Sequence, residues 1–258
     1  MKTSILLFIF ACFGFHSFGQ YARSVHSDNT PTGRHASIFK ANGKTTILNI
    51  RESSNDTLRV MLMDIDENGE TDNYRMFEHS PFDMSTWFVL SGVGTTSSGE
   101  VVLNIQQYDS GPTMDIDYLT LDPNSGAFTD EFSLNSQYKR AVSRSRQKGD
   151  SLITYVAQNG TAGITRLARS LSNTTIATES FISNGTFASP FTQNQIACEL
   201  ILHNSEEYIG VANLVIKRTS TNNYIEASYS GSTTCPALVE TPSGNMFVLN
   251  KNFASENL

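Results

Sequence analysis

The chain has 258 residues, with 18 Lys and Arg against 25 Asp and Glu, a formal net charge of −7 and 39% hydrophobic residues. An acidic balance excludes general nucleic-acid affinity, whose main term is phosphate neutralisation by Lys and Arg. A chain of this length can bury a substantial core, and low charge with plentiful Ser, Thr, Asn and Gly between apolar alternations points to an extracellular all-β chain rather than to disorder.

The N-terminus reads Met1-Lys2, an apolar stretch from Ile5 to Phe15 that contains Gly14, then Ser17-Phe18-Gly19 before Gln20. One positive charge, a short apolar run and small residues just before the cut predict a secretory signal peptide over residues 1–19, and hence a secreted or cell-surface protein. That run is too short to span a membrane, and no transmembrane segment is expected. The alternative is a lipoprotein signal with Cys12 acylated, a motif that bulky Phe10 suits poorly. Cleavage after Gly19 removes Lys2 and moves the charge to −8. Cys198 and Cys235 then remain, and export permits one disulfide between them, with two buried thiols as the alternative.

Beyond the leader the chain repeats one grammar. The first unit has strand-like runs at Ala36 to Phe39, Thr45 to Ile50, Leu58 to Ile65 and near Tyr74 to Phe77, with turns at Asn42-Gly43 and Glu67-Asn68-Gly69. Asn-Gly between alternating segments signals a hairpin, because the turn residues must accept positive φ. The second unit runs Trp87 to Leu90, Val101 to Gln107, Met114 to Leu121 and Ala127 to Leu134, turning at Ser97-Ser98-Gly99 and at Asp122 to Gly126. In the third, runs at Arg140 to Arg146, Leu152 to Ala157, Ile164 to Ala168 and Thr174 to Ile182 follow the same order, with a turn at Lys148-Gly149-Asp150. A less regular fourth unit covers Ile196 to Leu202, Tyr208 to Val211, Leu214 to Lys217 and Tyr224 to Tyr229. A fifth opens with Ala237 to Val239 and Met246 to Leu249 around Pro242-Ser243-Gly244, and there the chain stops.

The second turns, at Gly69, Gly126, Asn173 and Asn222, are spaced 57, 47 and 49 residues apart. A period of roughly 50 residues, each carrying four hairpin-linked strands, predicts an all-β, β-propeller-like array of four-stranded antiparallel blades over residues 20–258, with about four blades and a partial fifth. A propeller must close or leave an unpaired edge, so an incomplete ring and a longer gene product are expected.

Glu240-Thr241-Pro242-Ser243-Gly244-Asn245-Met246-Phe247-Val248 resembles the blade hairpin of secreted bacterial β-propeller repeat proteins, and Leu121 to Gly126 is similar to turns in such chains. A leader ending in Gly-Gln resembles those of exported Bacteroidetes surface proteins. The resemblance implies an exported propeller, often followed by a carboxyl-terminal sorting module. The Trp-Asp dipeptide and the Gly-Gly doublet of other propeller repeats are absent.

Candidate chemistry is sparse. Asp64, Asp66, Asn68 and Glu70 place oxygen-bearing side chains at alternate positions up to a Gly-marked turn, as in the first half of a calcium loop, whereas Arg75 occupies the twelfth position where a bidentate carboxylate belongs. Calcium is the one cofactor the chain suggests, against an acidic solvated turn. Asp109 to Thr113 resembles the core of a structural Asp-box, although Gln107 and Met114 replace its Ser and Trp. Arg140, Arg144, Arg146 and Lys148 recur at even spacing, so one extended strand would project their charges to one side, either as an anionic glycan or phosphate site or as a solvated face. Trp87, Phe88, Tyr108 and Tyr118 offer sugar-stacking surfaces or, more ordinarily, inter-sheet packing.

There is no nucleophile elbow, zinc helix or phosphate loop, and His26, His35, His79 and His203 stand singly. Asn55, Asn159, Asn173 and Asn184 begin glycosylation sequons that matter only in a eukaryotic secretory route. The expected function is a non-catalytic binding or adhesion protein that presents loops to a glycan or an extracellular protein. The alternatives are a propeller glycosidase or lyase acting on an acidic polysaccharide, and a structural module carrying a downstream domain.

Overall fold

The computed structural model describes residues 35–41, 43–53, 56–82, 87–108, 113–142, 144–158, 163–182, 197–203, 206–211, 214–221, 223–228, 236–240 and 246–250. The signal peptide, the Asp-box, Cys235 and the side chain of Cys198 therefore lie outside the described residues. Every regular element described is a β-strand, and no described helix is long and apolar enough to cross a membrane.

The first sheet is β1 (His35–Ala41), β2 (Lys44–Ser53), β3 (Thr57–Ile65) and β4 (Thr71–His79), paired antiparallel in that order. The second unit comprises β5 (Trp87–Thr95), β6 (Val101–Tyr108), β7 (Thr113–Leu121) and β8 (Phe128–Val142), and the third β9 (Arg146–Lys148), β10 (Ser151–Gln158), β11 (Gly163–Ser170) and β12 (Ile176–Ile182). The fourth unit is a sheet of β13 (Ala197–His203), β14 (Glu206–Val211), β15 (Leu214–Ser220) and β16 (Asn223–Ser228), and β17 (Pro236–Glu240) pairs with β18 (Met246–Asn250). The hairpin glycines Gly43, Gly69, Gly99, Gly126 and Gly149 all have positive φ, the conformation that their turns demand.

The second and third units share one hydrogen-bonded sheet. Strand β8 pairs with β7 from Phe128 to Lys139, then turns its last residues onto β10, where Tyr138 faces Gln158 and Val142 faces Val156. Residues Arg140 to Lys148 are thus not one uninterrupted strand: β8 ends at Val142 and β9 resumes at Arg146. The break occurs where the chain leaves one unit for the inner edge of the next.

Strict alternation explains how both faces of each sheet are filled. Val101, Leu103 and Ile105 of β6 join Leu48, Ile50, Val60 and Leu62 in a core between the first and second units. Val102, on the opposite face of β6, joins Tyr118, Leu152, Val156 and Leu167 between the second and third. Ile153 and Tyr155 of β10 join Leu200, Ile209 and Ile216 between the third and fourth. Strands buried on both faces read as near-continuous apolar runs, and Val101 to Gln106 is buried at every position.

The inner strands touch in order, β1 to β5 to β9 to β13 to β17. Sheets packed face to face in sequence with their first strands in a row make a propeller-like stack. Gly92 permits the β5 to β9 approach, since a Cβ there would lie 2.4 Å from the Ser145 carbonyl oxygen. Backbone contact that close leaves no room for a side chain.

Candidate functional site

Cross-strand register places two polar rows opposite each other between the third and fourth units. Tyr155, Arg166 and Glu179 stand directly opposite one another across β10, β11 and β12. Glu207, Arg218 and Tyr224 do the same across β14, β15 and β16. Side chains opposite in register project from one face, so the two rows meet across the gap.

The Glu207 side chain is 0% exposed. Its Oε1 accepts from Lys148 Nζ at 2.8 Å and Arg166 Nη2 at 3.0 Å, and its Oε2 accepts from Arg166 Nε at 2.7 Å and the Tyr155 hydroxyl. Four donors fill the lone-pair capacity of a carboxylate. Arg218 lies 3.8 Å from Oε1 and donates through Nε and Nη2 to Glu179, which also accepts from the Tyr224 hydroxyl at 2.8 Å.

Burial alone would raise the Glu207 pKa, but the bonds from Arg166, Lys148 and Tyr155 outweigh it and hold the carboxyl at about 2. Burial and the neighbouring Glu207 carboxylate push the Tyr155 phenol upward, and burial with the Glu179 bond does the same at Tyr224. All of these shifts fix the charges as they stand at neutral pH. A carboxylate held this way is a clamp between sheets, not a proton acceptor poised for chemistry.

The expected basic stripe is divided. Lys148 is absorbed into the Glu207 cluster, Arg146 donates to the Leu200 carbonyl at 3.2 Å, Arg144 is exposed, and the side chain of Arg140 lies outside the described residues. Neither are the four calcium-loop residues brought to one point. Asp64 accepts from Thr46 Oγ1 at 2.7 Å and from Arg75 Nη2 at 2.8 Å, facing the second sheet. Asp66 instead accepts the backbone N–H groups of Asn68 and Glu70, which closes its own turn. Tyr118 is fully buried and Phe88 packs against the first core, whereas the side chains of Trp87 and Tyr108 lie outside the described residues. His79 packs against Phe128 with ring centroids 4.6 Å apart.

A cavity of about 250 Å³ opens between the first and second units, walled by Phe39, Thr46, Asp64, Arg75 and Val101 among others. Phe39, Thr46 and Asp64 are directly opposite one another across β1, β2 and β3, so one face supplies all three.

No protein-family model and no curated protein matches this chain. Solved structures do. Synechocystis apocarotenoid oxygenase in its cobalt-substituted form and as a tryptophan-to-alanine variant each match at 10% identity with a TM-score of 0.52. A threonine-to-alanine variant matches at 9% identity and a TM-score of 0.53. In each case the match covers 86% of this chain but only 55% of the solved one. Their fold is a propeller, and at such identity the likeness shows the all-β propeller-like fold alone.

The cobalt-substituted neighbour holds a metal. Among the described residues of this chain, no group of three or more His, Cys, Asp or Glu converges to hold one.

The Glu207 cluster was not singled out by sequence, yet a signal existed. Arg166 shares parity with Ile164 and Ala168, and Glu207 with Ile209, so each charge occupies an inward position in an apolar alternation. Parity flags a buried charge, but only register across two sheets reveals its partners.

Proposed function

We propose that the protein is a secreted, non-catalytic propeller-like recognition module whose units are four blades and two strands of a fifth. Its blade-connecting loops bind a glycan or an extracellular protein. One observation carries this reading: the two ends of the stack differ in connection length. At one end, the hairpins after β1, β3, β5, β7, β9 and β11 have two to six residues. At the other, residues 80–86, 183–196 and 229–235 join successive sheets through seven, fourteen and seven residues, beside hairpins of three or four residues after β2, β6 and β10 and a three-residue link from β8 to β9. Rigid sheets carrying long connections at one end are the usual physical basis of a recognition surface.

The saturated state of Glu207 supports a structural role for the densest charge cluster. The oxygenase activity in the neighbours' names belongs to chains of which this one spans about half, and nothing in the described residues carries it over.

The test is binding of the full chain to glycan and cell-surface-protein arrays, followed by replacement of residues 183–196 with a short Gly-Ser linker. The reading predicts a saturable ligand whose affinity falls more than about tenfold in the linker variant while the melting temperature is kept. Absence of any ligand, or binding indifferent to the replacement, would refute it.

A further inference from the structure

We propose that the cavity between the first and second units is a binding site for one neutral, hydroxyl-bearing ring, a monosaccharide free or at the end of a glycan. It opens at the short-turn end of the stack, near Gly99 and Pro123, and does not rest on the loop-end reading above.

Three features define the ligand. The first is size: about 250 Å³ lies just below the roughly 300–1,000 Å³ of pockets that take drug-sized molecules, which limits the occupant to one ring. The second is the pairing of surfaces. Phe39, Leu62 and Val101 supply apolar wall, and the partly buried Phe39 ring suits the C–H face of a pyranose. Beside it, on the same face of the first sheet, stand the buried Asp64 carboxylate, an acceptor, and the Arg75 guanidinium, a donor. A carboxylate beside a guanidinium matches neighbouring hydroxyls, each of which can donate and accept.

Third, the donors of Arg75 are incompletely used. Nη2 serves Asp64 and Nη1 donates to the Pro123 carbonyl at 3.1 Å, yet the buried Nε–H has no acceptor among the described residues. That Nε–H is closed to the cavity, so a bound ring would draw on the second hydrogens of Nη1 and Nη2, each of which spends one on the protein. Charge selects against an acidic sugar: Arg75 is matched by Asp64, and Lys44 at the rim by Asp72.

Two-dimensional amide NMR of the full chain tests this, with methyl glycosides of glucose, galactose and mannose, disaccharides ending in the same rings, and glucuronate as probes. At least one neutral ring should give saturable shifts at Phe39, Thr46 and Val101, with Kd of about 1 mM, the order that a dozen heavy atoms support. Phe39→Leu, an apolar exchange at a partly exposed position checked by its melting curve, should weaken binding at least about tenfold; Arg75→Lys should do likewise. Binding of the disaccharides as well identifies a glycan end, and binding of single glycosides alone a free sugar; either supports the site. Shifts with glucuronate only, no saturable shift with any probe, or binding unchanged in both variants would overturn it.

Discussion

Glu207 accepts from Lys148, Tyr155 and Arg166 on three strands of the preceding sheet, with both carboxylate oxygens filled. Its folded pKa of about 2 lies below the ordinary 4.5, so the folded chain resists protonation of this group more than the unfolded chain does. The stabilisation is therefore complete above about pH 4.5 and is lost as pH falls toward 2. Glu207→Gln should cost roughly 3–5 kcal/mol at neutral pH, because the largely buried Arg166 guanidinium loses its counterion and the partly exposed Lys148 its partner. Urea unfolding across pH should show wild type and variant converging in acid; parallel curves would contradict the assignment. Gly92→Ala should also destabilise, by roughly 1–3 kcal/mol, since its Cβ meets the Ser145 backbone. An unchanged denaturation midpoint would show that β5 and β9 do not approach as described. Asp64 and Lys148 stood out in the sequence because charge in alternation is visible there. Their partners Arg75 and Glu207 were not legible, because each pairing depends on which strands oppose in register or which sheet faces which.

At the scale of elements, the turn residues carried most of what sequence could say. Gly43, Gly69, Gly99, Gly126 and Gly149 each close a hairpin within the units expected, because positive φ is a local demand that glycine alone meets cheaply. The passage from β8 into β9 was less legible. A strand that leaves one partner for another changes neither its composition nor its alternation, so the sequence shows a basic stripe where the chain makes a break. Asp66 and Asp122 hold their turns by accepting from Asn68 and Glu70, and from Asn124 and Ser125, which lowers both carboxyl pKa values. With Asp66 spent on its own loop and Asp64 on Thr46 and Arg75, added calcium at millimolar concentration should leave the melting temperature unchanged. A rise of several degrees in a thermal scan would show that the loop rearranges to bind it.

For the whole molecule, the order of packing follows from chain order. Each core draws on two consecutive units, and hydroxyl and amide contacts reinforce the same sequence: Asn104 donates to Thr154 at 3.0 Å, and Thr154 pairs with Ser145, which pairs with Ser91. The repeat length made this stack legible, since units that present two apolar faces can bury them only against neighbours on both sides. What occupies the ends of the stack depends on surfaces outside the period. The claim that the third and fourth units face each other through one charge cluster is open to a double-mutant cycle on Arg166 and Glu207, 41 residues apart on different sheets. With Arg166→Met, Glu207→Gln and the double variant, unfolding free energies should reveal a coupling of about 2–3 kcal/mol. Additive effects within about 0.5 kcal/mol would mean that the two side chains do not meet.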